Sequence, residues 1–265
     1  MVSTAGLRMI RLFTTVYPET NPARRAEYEE CLRRNLACAE LDEVCVLAEG
    51  DGIRLPPSPK LRERRILKRP SYDDFFSWIN EVAGPDDVSI IANTDIYFDS
   101  NIRALEHIAW RANTCLALSR WDVQADGTAR LFEAADSQDC WIFKGKIGDV
   151  KGDIPVGVYD CDNKIAWELE RAGYNVLNPS LSIRCFHLHL SGYRSYEVAP
   201  APDYGIRPPF KYVEPDNLAG LWTCWRLYRK ASMTYFPWRL TGNKIRRWGP
   251  VKFGVRVVNR VKRRR

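Results

Sequence analysis

Three short segments carry side chains whose types and spacing suit chemistry on an anionic ligand. Residues 90–99, IIANTDIYFD, are an apolar run that delivers Asn93 and Asp95 at its end. An amide oxygen and a carboxylate two residues apart can face one divalent cation, and Mg2+ or Mn2+ prefers such hard donors. The same pair also suits a plain turn, and Asp99 is expected to cap the next helix. Residues 158–173, VYDCDNKIAWELERAG, place Asp160 and Asp162 at the start of an amphipathic helix. There a carboxylate either caps the helix and complements its dipole or serves as a general base aimed across a sheet edge. Residues 183–196, IRCFHLHLSGYRSY, hold two of the three histidines, His187 and His189. On a strand these share one face, and such a pair can bind a metal or a phosphate.

The elements that must position these groups can be read from periodicity. Residues 9–16 and 44–48 read as short β-branched strands, with a helix over 24–38 between them. Residues 51–69 are basic and proline-containing, which predicts a loop or a short irregular strand. Ser71 is a good N-cap for a helix through 82, with Asp73 and Asp74 in its first turn. Residues 88–92, VSIIA, are wholly apolar, as at the centre of a parallel sheet. Strand and helix alternate through the first hundred residues, so a Rossmann-like sheet is expected, with ligands beyond its carboxyl ends. Further on, a helix over 102–111, strands over 114–120, 140–143, 174–177 and 183–187, and a helix closed by Gly173 are expected, with a hairpin turn at Asp126–Gly127.

The chain has 265 residues, enough for one sizeable core. Eight cysteines occur without a CxxC pair, which predicts buried free thiols in a reducing cytosol. No signal peptide and no apolar stretch of spanning length is read. Net charge is +7 but uneven: residues 211–265 hold fifteen Lys/Arg against Glu214 and Asp216, a net +13, which leaves −6 on the rest. A mildly acidic body with a strongly basic tail points to an anionic partner for the tail.

Taken in order, the three segments resemble the GT-A glycosyltransferases, above all the inverting, GT2-like members. Asn93-Thr94-Asp95 looks like a variant of the family's DxD motif with asparagine first. Residues 141–145, WIFKG, take the place of the acceptor-side strand. Cys161-Asp162 and the helix to Gly173-Tyr174 match its acidic pair, with Cys161 where a glutamate is usual. His187, after Pro179, matches its C-terminal histidine. The resemblance covers residues 9–196. It implies an α/β fold of the GT-A kind, a mixed central sheet flanked by helices. It also implies a nucleotide-sugar donor (UDP-, GDP- or dTDP-linked) and Mn2+ or Mg2+ bound by Asp95 with Asn93 and His187. Asp162 would be the catalytic base. Donor contacts would come from Thr14 and Thr15 after the first strand, Glu49 after the second, Arg69 and Tyr72 before the second helix, and from Asn93, Asp95 and Asp139.

These expectations divide the chain into a catalytic domain, residues 1–200, and a linker with a basic, helical extension, residues 201–265. Trp222, Trp225, Trp238 and Trp248 lie among the cations of that tail. Interfacial segments use this mixture, with rings at headgroup depth and cations on anionic lipid. The sequence therefore predicts a cytoplasmic enzyme held peripherally at the inner face of a membrane, acting on a cell-surface glycan or lipid-linked acceptor. Nucleic acid is not the expected partner, although the terminal VKRRR would suit phosphate contacts. The rival reading is a non-catalytic nucleic-acid- or glycan-binding protein on an α/β scaffold. Asp95, Asp162 and His187 discriminate, because a binding module needs none of them.

Overall fold

The apolar run at the centre of the sequence is also the centre of the molecule. In the computed structural model, which describes residues 9–108, 110–193 and 203–218, β4 (Val88–Ala92) is buried at every position. It lies inside a seven-stranded mixed sheet. On one side are β1 (Ile10–Val16), β2 (Glu43–Glu49) and β3 (Leu61–Ile66), each parallel to its neighbour. On the other side β9 (Cys140–Lys144) runs antiparallel to β4 and to β6 (Thr114–Leu118), and β10 (Asn175–Leu177) closes the edge parallel to β6. The expected mixed α/β architecture is the one observed.

Alternation along the strands builds a core on each face. Phe13, Leu47, Ile91, Ala117, Trp141 and Phe143 point to one face, where helices α2 (Tyr72–Val82) and α3 (Cys161–Arg171) cover them. Leu12, Val46, Ile90, Leu116 and Ile142 point to the other, with Leu32 of α1 (Pro22–Ala37). Each fully buried side chain of this size contributes about 1.5–3 kcal/mol of apolar transfer, so the two layers hold the sheet between them. The helix starts follow the local chemistry. Asn21 accepts from the Arg24 N–H ahead of Pro22, and Ser71 forms a capping box with Asp74. Gly173 ends α3 with φ of +86°.

Three elements differ from the sequence reading, and one of them is the strand expected over 183–187, of which only Phe186–His187 is paired. β3 is a regular six-residue parallel strand, although Arg62, Glu63, Arg64 and Arg65 are all exposed. It is an edge strand with solvated faces, so backbone pairing to β2 holds it without any apolar pattern, and its charges discourage pairing with another edge. The segment after Asp99 is a 3-10 helix, Ser100–His107, shorter than the helix expected over 102–111.

A second, four-stranded sheet has the order β5 (Ile96–Tyr97), β11 (Phe186–His187), β7 (Trp121–Val123), β8 (Ala129–Leu131). The expected turn at Asp126–Gly127 joins β7 to β8, with Gly127 at φ +80°. Residues to Asp216 form one compact unit, and the chain from Asn217 is another, of which only Asn217 and Leu218 are described. Residues 203–216 complete the first unit. The Val213 side chain is buried, its N–H donates to the Ala135 carbonyl, and the Lys211 N–H donates to the Asn163 carbonyl. Seven cysteines are free and buried. Cys224 and the tryptophans of the basic tail lie outside the described residues. No helix among the described residues is long and apolar enough to cross a membrane.

Candidate active site

Strand polarity decides where the site forms. β1, β4 and β6 all end at the same rim of the sheet, and β9, running the other way, begins there. The register Ala92 to Cys140 and Leu118 to Cys140 therefore brings Asn93, Ser119, Arg120 and Asp139 together. Asn93 Nδ2 donates to Asp139 Oδ1 at 2.9 Å, and Thr94 Oγ1 donates to the Thr15 carbonyl at 2.9 Å. A cleft of about 260 Å³ at this rim is lined by Asn93, Thr94, Thr15, Arg120 and Asp139, together with Tyr17, Arg24, Tyr28, Arg69, Asp95, His187, His189 and Tyr193.

The second sheet supplies the histidine. β11 pairs antiparallel with β5, which sets His187 opposite Ile96, and parallel with β7, which sets His187 opposite Asp122. The imidazole is thereby held between two carboxylates. His187 Nδ1 lies 2.8 Å from Asp122 Oδ1 and Nε2 lies 3.1 Å from Asp95 Oδ2. Arg24 of α1 reaches the same Asp95 oxygen, and also contacts Glu27 at 2.7 Å and the Leu188 carbonyl at 2.9 Å. Arg120 continues the chain of charges, 2.9 Å from Asp122 and 3.1 Å from Asp139. Glu27, Arg24, Asp95, His187, Asp122, Arg120 and Asp139 thus form a chain of alternating sign, of which Arg24, Asp95, His187, Arg120 and Asp139 line the cleft.

Burial opposes the charge of Asp95, but His187 and Arg24 outweigh it and hold the carboxyl below its ordinary range. Burial likewise opposes an imidazolium at His187, yet Asp95 and Asp122 raise it to about 9. Asp162 behaves oppositely. Burial, and then the charge of Asp139, push it up to about 7, against the Gln138 and Asn163 N–H groups that stabilise its charged form. Those N–H groups donate at 3.1 and 2.9 Å. A carboxyl with a value near neutrality exchanges its proton within the physiological pH range.

The sequence-predicted residues fall into two groups. Thr15, Arg69, Asn93, Asp95, Asp139 and His187 line one cleft. Asp162 stands behind Gln138 and Asp139, bonded to the Gln138 backbone. Thr14 is buried beside Thr15, and Glu49 closes β2. Tyr72 is in the core, 2% exposed and packed edge-on against Trp141 at 6.1 Å. None of these last four is among the residues lining the cleft. Arg24, Tyr17, Tyr28, Arg120 and Asp122 were not read from the sequence. A buried arginine inside a charged helix gives no periodic signal, and its one local hint is Glu27 a turn away. Asp122 follows a strand end, where ligands gather, but nothing near it in sequence marks its histidine partner.

No family model matches the chain, and no curated protein matches it in sequence. Solved glycosyltransferases of the GT-A fold are among the structures to which it is similar. One is the mannosyltransferase PcManGT from Pyrobaculum calidifontis in complex with GDP-Man and Mn2+, at 14% identity and TM-score 0.44, covering 96% of this chain and 84% of that one. Another is S. aureus TarS 1-349 in complex with UDP-GlcNAc, at 10% identity and TM-score 0.46, covering 73% and 62%. The chain is also similar to 4-diphosphocytidyl-2C-methyl-D-erythritol synthase from Anaerococcus prevotii, at 12% identity and TM-score 0.36, covering 64% and 86%.

The cleft suits a divalent cation at one point. Asp95 Oδ2 and His187 Nε2 are 3.1 Å apart, the separation of two neighbouring donors on an ion with bonds of about 2.1 Å at right angles. Asn93 uses its amide N–H on Asp139 and keeps its carbonyl oxygen to offer. The same Asp95 oxygen is bonded by the Arg24 guanidinium, so an ion at this point would take over that contact and the proton on His187 Nε2. Among the described residues there is no cluster of three His, Cys, Asp or Glu fit to hold a metal. The remaining ligands of an ion here would be diphosphate oxygens and water, as is common for Mg2+.

Proposed function

We propose that the chain is a metal-dependent, inverting glycosyltransferase that moves a sugar from a nucleoside-diphosphate sugar to a hydroxyl of a cell-surface glycan or lipid-linked acceptor. The observation that carries the reading is the convergence of Asn93, Asp95, Asp139 and His187 on one cleft at the carboxyl rim of the sheet, with Asp162 poised near neutrality behind it.

In this reading Asp95, His187 and Asn93 hold Mn2+ or Mg2+, which when bound offsets charge developing on the leaving diphosphate. Thr15, Arg69 and Tyr17 bind the nucleoside end, and Arg69 is fixed there by the Val156 carbonyl at 3.0 Å. Asp139, held by Asn93 and Arg120, accepts hydrogen bonds from sugar hydroxyls. Asp162 takes the proton of the acceptor hydroxyl as that oxygen attacks the anomeric carbon from the face opposite the leaving group. Configuration therefore inverts, and base assistance contributes about 10²–10⁴-fold.

Thermal melting tests the donor side. UDP, GDP or dTDP with Mn2+ is expected to stabilise the protein, and Mn2+-free nucleotide to do so much less. At a hundred-fold excess over Kd the gain is about 2.7 kcal/mol, or roughly 5–10 °C for a chain of this size. No shift with any nucleotide, with or without Mn2+, would overturn the reading in favour of a non-catalytic binding protein.

The tail completes the proposal as a dock on anionic lipid. Each Lys or Arg at such a surface contributes on the order of 1 kcal/mol, and the tryptophans add insertion that salt does not screen. Binding to anionic vesicles is expected to weaken with salt without vanishing. A chain truncated after Leu218 retains Lys211 and Val213, which hold the body, and should keep nucleotide binding while losing vesicles. If the truncated chain still binds vesicles, or the intact protein ignores them and binds RNA, the docking role is wrong.

A further inference from the structure

We propose that Asp122 is the positioning residue of the cation site, the carboxylate that aims His187 Nε2 at Asp95 and at the ion between them. The inference rests on the metal-dependent reading above and assigns a role to a residue that lies outside every motif of the sequence.

The two sheet registers place His187 between Asp122 and Asp95, but a histidine on a two-residue strand still has a ring free to turn about χ2. Asp122 removes that freedom. Its Oδ1 accepts from His187 Nδ1 at 2.8 Å, which fixes the ring plane and keeps the Nδ1 proton in place, so that Nε2 is the nitrogen that would ligate an ion taking the place of its proton. Without it, the ring could turn toward His189, whose own ring lies 5.5 Å away, edge-on. Asp122 is in turn held by Arg120 at 2.9 Å, and Arg120 by Asp139 and by the Ser137 hydroxyl at 3.0 Å. One carboxylate thus ties the ion side of the cleft to the sugar side. Its position follows from the fold: β7 pairs with β8 on one edge and with β11 on the other, which sets Asp122 opposite His187. A carboxylate–histidine–metal arrangement raises the basicity of the ligand and fixes its geometry, and its loss typically weakens metal affinity about 10–100-fold.

The test is a titration of the full-length protein with Mn2+ alone, with free Mn2+ followed by electron paramagnetic resonance. Asp122→Ala should weaken Mn2+ binding by about 10–100-fold. Asp122→Asn, whose carbonyl still accepts from Nδ1, should recover most of that loss. Asp95→Asn supplies the reference for a site without its carboxylate ligand. If Asp122→Ala binds Mn2+ like the wild type while Asp95→Asn does not, the positioning role is overturned and the metal site stands. If the wild type binds no Mn2+, the metal site falls and the inference with it. Should Asp122→Ala fail to fold, a comparison of Asp122→Asn with Asp122→Glu decides. Glu retains the charge but displaces the oxygen, so the positioning role requires weaker Mn2+ binding in Glu than in Asn, and the reverse order overturns it.

Discussion

Asp162→Asn is expected to lower kcat by about 10²-fold or more while leaving donor KM nearly unchanged, because it keeps shape and removes the proton acceptor. In the wild type kcat should climb with pH and level off above about 7, where Asp162 is ionised, and the variant should lose that limb. The groups that face this carboxyl are the Gln138 and Asn163 N–H groups, the Asp139 carboxylate, Cys161 and Tyr72. A stability signature accompanies the kinetic one. The folded-state value is raised above the ordinary carboxylate value, so the folded protein holds a proton that the unfolded chain releases. That contribution is present at about pH 4 and is lost as pH rises toward 7. Above neutrality a buried charge remains beside Asp139. Asp162→Asn should therefore melt a few degrees higher than wild type at pH 8 and about equally at pH 4, the trade expected where a functional group is held in an unfavourable setting. If Asp139→Asn or Asp160→Asn shows the kinetic pattern and Asp162→Asn does not, the base is a different carboxylate. A product that retains the donor's anomeric configuration would contradict the mechanism.

Removal of divalent metal is expected to abolish transfer, and Mn2+ or Mg2+ to restore it. Asp95→Ala should lose nucleotide affinity as well as rate, since the ion and the diphosphate share ligands. Asp95 also neutralises Arg24 and His187 inside the cleft. Truncating it leaves Arg24 with Glu27 and His187 with Asp122 as their remaining carboxylates, so part of the loss is in stability, below the roughly 3–5 kcal/mol of a buried charge left wholly unpaired. Asp95→Asn keeps the volume and one acceptor, so it separates loss of metal from loss of fold. Both variants should fail to respond to Mn2+ in nucleotide-dependent melting. Full activity in EDTA, measured as sugar transfer after exhaustive chelation, would remove the metal from the reaction and leave the cations of the cleft to bind the diphosphate.

Much of the fold was legible because its signals are local. The apolar strand at residues 88–92, the capping box at Ser71 and Asp74, the hairpin at Asp126–Gly127 and the glycine that closes α3 each depend on side chains a few positions apart. The strand-end rule then pointed to Asn93 and Asp95, the family resemblance to Asp139, and the period of two put His187 and His189 on one face. β3 was hidden because an exposed edge strand is held by backbone bonds and shows no apolar alternation.

What the tertiary structure alone decided is which of these groups meet and in what electrical state. The sequence places Asp95, Asp122 and His187 at separations of 27 and 65 residues, and only the registers of β5, β7 and β11 bring them within one hydrogen-bonded chain. Arg24 enters that chain from a helix that looked merely charged. Tyr72, a plausible donor contact by position, turned into the core because α2 packs its apolar face on Trp141. Asp162 gains its near-neutral value from burial and from Asp139, two features with no trace in residues 158–173. Residue type and spacing determine which chemistry is available to this chain, since they set local backbone preference and ligand hardness. The pairing of charges and the dielectric around them depend on long-range contacts, so they emerge only when the sheet is assembled.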